Sequence, residues 1–211
     1  MGLFGRVVVA MMPLTPRFVV RWVAKRYVAG PDIDSAILLM NRMSSENACF
    51  TVDVLGEEIA TLNEAKFFID EYDRLIDAIV ESGLDANISI KPTAFGLLID
   101  NSAAHTNIER LLRRAASDDI FVRLDMEDHR VTQATIDVAL AMHEKGLTNI
   151  GVVLQGRLFR TSSDISEISK ATGVATDFRI CKGIYLEPSD IAHSGYREIV
   201  DATNQAIDVM L

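Results

Sequence analysis

Several things are scarce in this 211-residue chain. There are two cysteines, Cys49 and Cys181, and no CxxC or Cys/His cluster, so a disulfide scaffold and a thiolate metal site are excluded. Both cysteines sit in apolar runs and are expected to be reduced, buried thiols of a cytoplasmic protein. No apolar run approaches the roughly 20 residues that span a bilayer. Gly-rich phosphate loops are missing too: GxGxxG, GxxxxGK[ST] and GxSxG do not occur, which counts against Rossmann, P-loop and α/β-hydrolase chemistry. Positive charge is in deficit, with a formal net charge of -9, and phosphate backbones would be repelled, so nucleic acid is not expected as a partner.

Acidic residues are absent from one stretch only. Arg6, Arg17, Arg21, Lys25 and Arg26 all precede the first acid, Asp32. Residues 1–30 read as a basic helical segment, followed by a catalytic domain over 31–211. Arg17–Val28 places Phe18, Val19, Trp22, Val23 and Tyr27 on one stripe, the pattern of an amphipathic helix. Packing against the domain is one reading of that stripe. Peripheral contact with the anionic inner membrane face is the other.

What is present is alternation. Short β-rich runs are separated by longer helical stretches, with strand starts ~30–40 residues apart, the size of a βα unit. The spacing predicts strands at Cys49–Leu55, Ile88–Lys91, Phe121–Asp125, Gly151–Gln155 and Phe178–Lys182. It predicts helices at Ile33–Met43, Leu62–Ser82, Ala103–Ala116, Thr132–Glu144, Ser163–Ala171 and Arg197–Leu211. Thr61 and Glu64 form a candidate capping box, and Gly83 and Gly146 are candidate helix stops. The fold class is α/β with a parallel sheet, of the (β/α)8 barrel type, present as about five βα units with the barrel incomplete.

Polar residues gather where strands end, the position at which such folds keep their chemistry. Lys91 follows strand two; Arg123, Asp125, Glu127 and Asp128 mark strand three. Gln155, Arg157 and Arg160 follow strand four, and Arg179, Lys182 and Tyr185 follow strand five. Period two puts Arg123 and Asp125 on one side of strand three, opposite Val122 and Leu124. Charged groups pointing inward need partners or a ligand, and Lys91 and Asp125, on neighbouring strands, are expected to pair. Glu127-Asp128 is expected to cap the helix after strand three. The four histidines show no mutual spacing and read as surface residues, so no histidine-based catalysis and no metal centre is expected.

Six segments together resemble the proline dehydrogenase family: AKRYVAG (Ala24–Gly30), TVDVLGE (Thr51–Glu57), SIKPTAFGL (Ser89–Leu97), VRLDMED (Val122–Asp128), GVVLQGRLFRT (Gly151–Thr161) and RICKGIYLEP (Arg179–Pro188). They occur in family order and cover nearly the whole chain from residue 24. The resemblance implies a distorted (β/α)8 barrel holding FAD non-covalently at its strand ends. It implies a flavoprotein oxidoreductase of proline catabolism, which oxidises L-proline to Δ1-pyrroline-5-carboxylate by hydride transfer to flavin N5 and passes electrons to quinone or another acceptor.

By the same resemblance, Lys91 binds the proline carboxylate and Asp125 is the catalytic aspartate. Met126 lies along the flavin, Gln155 hydrogen-bonds the isoalloxazine and Arg179 sits near N5. Lys182, Gly183 and Ile184 surround the cofactor, and Tyr185 is the aromatic beside the substrate. Ile184 replaces the family's small alanine and is expected to narrow the space over the proline ring. Pro92 replaces a leucine. The family's Thr-His strand and Tyr/Arg-Arg helix are not in the chain, and Arg113-Arg114 is no substitute for that arginine pair. A non-catalytic relic of the same fold therefore stands as the alternative. With five strands, Cys49–Leu55 and Phe178–Lys182 are open edges, and residues 1–211 alone are expected to associate rather than to form a stable monomer.

Overall fold

The computed structural model describes residues 32–173 and 176–211, with isolated positions between 15 and 30. The helix expected at Arg17–Val28 thus lies, apart from single positions, outside the described residues. The chain divides into two compact units, residues 1–48 and 49–211. In the first, α1 (Ile33–Ser44) starts at Asp32, whose carboxylate accepts the Ser35 N–H at 2.9 Å.

The second unit carries the sheet. Its strands are β1 (Phe50–Asp53), β2 (Ala86–Ile90), β3 (Val122–Leu124), β4 (Ile150–Gln155) and β5 (Asp177–Cys181). All neighbours run parallel, in the order β1-β2-β3-β4-β5. That unbroken sequential order belongs to the barrel type; a doubly wound sheet would reverse direction at a switch point. Helices carry the crossovers: α2 (Leu62–Ser82), α3 (Asn101–Ala116), α4 (Thr132–Glu144) and α5 (Thr161–Thr172), with α6 (Tyr196–Met210) after β5. Each element expected from Ile33 onward is found within a few residues, and α2 and α4 have the expected limits.

The helix ends explain this. Gly83 closes α2 at φ +60°, a left-handed conformation costly for other residues, and its N–H reaches back to the last turn. The start of α2 differs from expectation. Thr61 is the N-cap residue, but its hydroxyl donates to the Glu64 carboxylate at 2.9 Å instead of receiving a backbone N–H. The Glu64 carboxylate in turn accepts the Ala60 N–H at 3.3 Å.

Alternation along the strands separates two faces. Ile88, Ile90, Val122 and Leu124 are fully buried and join Leu75, Ile76, Ile108 and Leu111 of α2 and α3 in the core. The opposite face carries Asp53, Ser89, Arg123 and Asp125. At β4 both faces are covered, and all six residues are buried. Arg123 does not turn toward the strand ends. It donates to Asp177 at the start of β5 at 2.5 Å and lies over the Phe121 ring, 5.3 Å from its centre.

The cysteines are not as expected. Both are free, but Cys49 is exposed and Cys181 only half-buried. The Cys49 thiol precedes β1 and donates to the Asp85 carboxylate at 3.0 Å, and this bond and the charge beside it push its pKa up. An apolar neighbourhood in sequence did not bury it: it precedes an edge strand, β1, in which no residue is buried either.

Candidate active site

Four charged residues meet at the C-terminal ends of the strands. Asp53 is the last residue of β1, Lys91 the first after β2, Asp125 the first after β3, and Arg179 the third of β5. The register pairs Ile90 with Leu124 and Leu124 with Val152, so Lys91, Asp125 and Val153 follow at one level, with Arg179 opposite Val153. Lys91 Nζ donates to Asp53 Oδ2 at 2.8 Å and stands 3.8 Å from Asp125 Oδ2. Arg179 donates to Asp125 Oδ1 at 2.5 Å. The result is a ladder of alternating charge, Asp53, Lys91, Asp125, Arg179. The expected pairing of Lys91 with Asp125 is therefore the longer of two contacts, and Asp53 is the nearer partner.

The ladder is half-buried. Side-chain exposure runs from 19% at Lys91 to 41% at Arg179, so a solute reaches it. Burial pulls the Lys91 pKa down, but the Asp53 hydrogen bond and the charges of Asp53, Asp125 and Glu57 outweigh it and leave the ammonium above its ordinary value. The Tyr185 hydroxyl donates to Glu57 at 3.0 Å. Burial and that carboxylate raise its pKa, so Tyr185 stays a phenol.

One step further along the chain lies a dry junction. Glu127 is 3% exposed and accepts the Thr93 N–H at 3.0 Å and the Thr93 hydroxyl at 2.5 Å. The Thr93 hydroxyl accepts the Glu58 N–H at 2.8 Å. Glu127 is thus not a helix cap. Burial raises its pKa, against the hydrogen bonds from Thr93. Asp128 does not cap by its side chain either: its carboxylate takes the Arg130 N–H and guanidinium, and α4 begins only at Thr132, after Val131. The Glu127 carbonyl accepts the Gln155 amide at 2.7 Å. That leaves Gln155 Oε1 buried with no hydrogen-bond partner among the described residues. Gly183 passes beside it at φ +94°, where a Cβ would stand 2.4 Å from Oε1. Only glycine fits both the conformation and the approach.

The remaining expected site residues scatter. Met126 is buried between Asp125 and Glu127. Lys182 lies over the Tyr196 ring, 5.2 Å from its centre, and not in the ladder. Ile184 is 88% exposed. Arg160 pairs with Asp164 of α5 at 2.8 Å. Arg157 donates to the backbone carbonyls of Tyr185 and His193, the latter at 3.1 Å, and so holds the loop after β5. His129 is at the surface, as expected, and bonds through its ring to Glu187 at 2.8 Å. Arg113 and Arg114 pair with Glu109, Asp77 and Asp118 on the helical layer. Among the described residues no group of three His, Cys, Asp or Glu is placed to hold a metal ion, and no helix is long and apolar enough to cross a membrane.

Sequence reasoning missed Asp53 and Thr93 as parts of this arrangement. Asp53 had a readable signal: period two places Thr51 and Asp53 of β1 on one face, as it does Arg123 and Asp125 of β3. Thr93 had none, because its partner lies 34 residues away.

The proline dehydrogenase family model matches residues 37–210. "Proline dehydrogenase 1" of Bacillus subtilis is 32% identical over 169 residues, covering 80% of this chain and 55% of that protein. The proline dehydrogenase of Deinococcus radiodurans is 31% identical over 174 residues, covering 81% of this chain and 55% of that protein. The chain thus spans about half the length of these curated relatives. In fold it is similar to a crystal structure of proline utilization A from Bdellovibrio bacteriovorus, with a TM-score of 0.76 at 21% identity, over 87% of this chain and 23% of that one. The chain with the Asp53–Lys91–Asp125–Arg179 ladder belongs to the proline dehydrogenase family.

Proposed function

We propose that the protein is an FAD-dependent proline dehydrogenase, oxidising L-proline to Δ1-pyrroline-5-carboxylate, with Lys91, Asp125 and Arg179 at its reacting centre. The observation that carries this reading is the alternation of two cations with two carboxylates along the strand-end side of β1, β2, β3 and β5. Proline is a zwitterion, and a carboxylate and an ammonium find opposite charges side by side on such a ladder.

The residues present fit a flavin. Gln155 Oε1 is a buried acceptor awaiting a donor, the isoalloxazine ring carries an N–H, and Gly183 keeps the space beside Oε1 free of a side chain. Gln155, Met126 and Arg179 would hold the ring system, and Lys182, Gly183 and Ile184 would border it. Bound there, FAD supplies a two-electron acceptor for the hydride on the proline ring carbon next to nitrogen.

The chain's own groups have separable tasks. Lys91, kept protonated by Asp53, receives the substrate carboxylate through a charge-assisted hydrogen bond. Asp125 holds the Arg179 guanidinium in place, and Arg179 puts a fixed cation where negative charge accumulates. Tyr185, a phenol donor tied to Glu57, walls the substrate side. Quinone suits the role of electron acceptor, and the basic segment before Asp32 suits peripheral contact with an anionic membrane face from the cytoplasmic side.

The test is a pair of dissociation constants. Lys91→Ala is expected to weaken proline binding by about 1.5–3 kcal/mol, the loss of a hydrogen bond to a charged group, while FAD affinity changes far less. Equal weakening of both would reject the role of Lys91. A protein that takes up no FAD would reject the reading as a whole.

A further inference from the structure

Several groups face the Lys91 ammonium. Asp53 comes from β1, Glu57 from the loop after it, Asp125 from the end of β3 and Glu127 from just beyond; Arg179 stands behind Asp125. Among these, Asp53 alone is within hydrogen-bond distance, at 2.8 Å against 3.8 Å for Asp125. Asp125 is already committed, with one oxygen on Arg179 at 2.5 Å. No role in the sheet requires a carboxylate at the end of β1, because the β1–β2 pairing is made by the backbone.

We propose that Asp53 is the positioning residue for Lys91, holding the ammonium toward β1 so that Asp125 remains with Arg179 and a donor of Lys91 stays free for a substrate carboxylate. This deepens the function proposed above and rests on it for the last clause. The charge count makes the case. With Asp53 the ladder has one carboxylate for each cation. Without it, Lys91 and Arg179 compete for Asp125, and the flexible lysine swings toward β3. An ammonium has three donors. Asp53 takes one without closing the side that faces the ladder. The rise in the Lys91 pKa also depends on Asp53, through both its hydrogen bond and its charge.

The experiment reads Lys91 directly, in the full chain with FAD added and proline absent. An amine-selective acylating reagent is applied across a pH series, and labelling of the Lys91 peptide is followed by mass spectrometry, with the exposed Lys66 as internal control. In Asp53→Asn the pH midpoint of Lys91 labelling is expected to fall by roughly one unit, the effect of losing a nearby opposite charge. Below both midpoints that appears as about tenfold faster labelling. Asp53→Glu restores the original midpoint. Asp53→Ser serves the same purpose if the asparagine variant does not fold, as judged by circular dichroism. An unchanged Lys91 midpoint in a folded variant overturns the proposal, as does a larger shift in Asp125→Asn than in Asp53→Asn. A separate arm adds proline to the unsubstituted protein. Protection of Lys91 there supports the substrate reading, and lack of protection overturns that reading without touching the Asp53 midpoint.

Discussion

Two polar clusters lie two residues apart along the same strand ends and are built by opposite rules. The ladder of Asp53, Lys91, Asp125 and Arg179 is reached by solvent and made of full charges in alternation. The junction of Thr93, Glu127 and Gln155 is sealed, at 1–3% exposure, and combines a single carboxylate with neutral donors. Where water enters, a charge is cheap and can later be offered to a ligand. Where it does not, a second charge would cost more than a hydroxyl or amide supplies. The chain order links them: Thr93 follows Lys91 by two residues, and Glu127 follows Asp125 by two. The Thr93–Glu127 hydrogen bonds therefore tie together the chain just past β2 and β3, directly beyond Lys91 and Asp125.

The comparison breaks first at Glu127. Glu127→Ala leaves the Thr93 N–H and hydroxyl without their acceptor, and at about 1–3 kcal/mol for each orphaned group the expected loss of stability is about 2–6 kcal/mol, read by urea unfolding. Arg179→Met strikes the other cluster. It is expected to leave the melting temperature nearly unchanged, since the side chain is 41% exposed, and to slow flavin reduction by proline by an amount worth about 2–4 kcal/mol, the scale of losing one preorganised donor. Stopped-flow absorbance measures this, and unchanged kinetics would remove Arg179 from the reacting centre.

A pH series sharpens the contrast further. The Glu127 carboxyl titrates above its ordinary value of 4.5 because it is buried. The folded state therefore holds its proton more tightly than the unfolded state, and this group's contribution is most favourable below pH 4.5 and is lost as pH rises through the folded value. In Glu127→Gln that loss disappears, so its stability profile should be flatter than the parent's on the alkaline side of pH 4.5. Parallel profiles would mean that Glu127 titrates alike in both states. The smallest effect belongs to Ile184→Ala. A side chain 88% exposed is expected to change stability by less than about 0.5 kcal/mol, and any change in proline turnover would then report contact with a ligand rather than with the protein.

Local chemistry determined how much could be read from the chain itself. Helix limits were legible because their signals are short-range: the three-and-four spacing of Ala65, Phe68, Ile69 and Tyr72 and the stop at Gly83 lie within the element they define. The sequential parallel sheet followed from alternation, and position at or near the strand ends gave the polar clusters that contain Lys91, Asp125, Gln155 and Arg179, since such folds keep their chemistry there. What no local pattern contained was the choice of partner. Lys91 takes Asp53 across 38 residues, Arg179 takes Asp125 across 54, and Arg123 turns the other way to Asp177. Burial was equally invisible: Glu127 and Asp128 are adjacent acids in the sequence, yet one is sealed against Thr93 and the other pairs with Arg130 at the surface, and Cys49 is exposed despite apolar neighbours. These outcomes depend on strand register and on which elements close over each position, and they exist only once the β strands lie side by side.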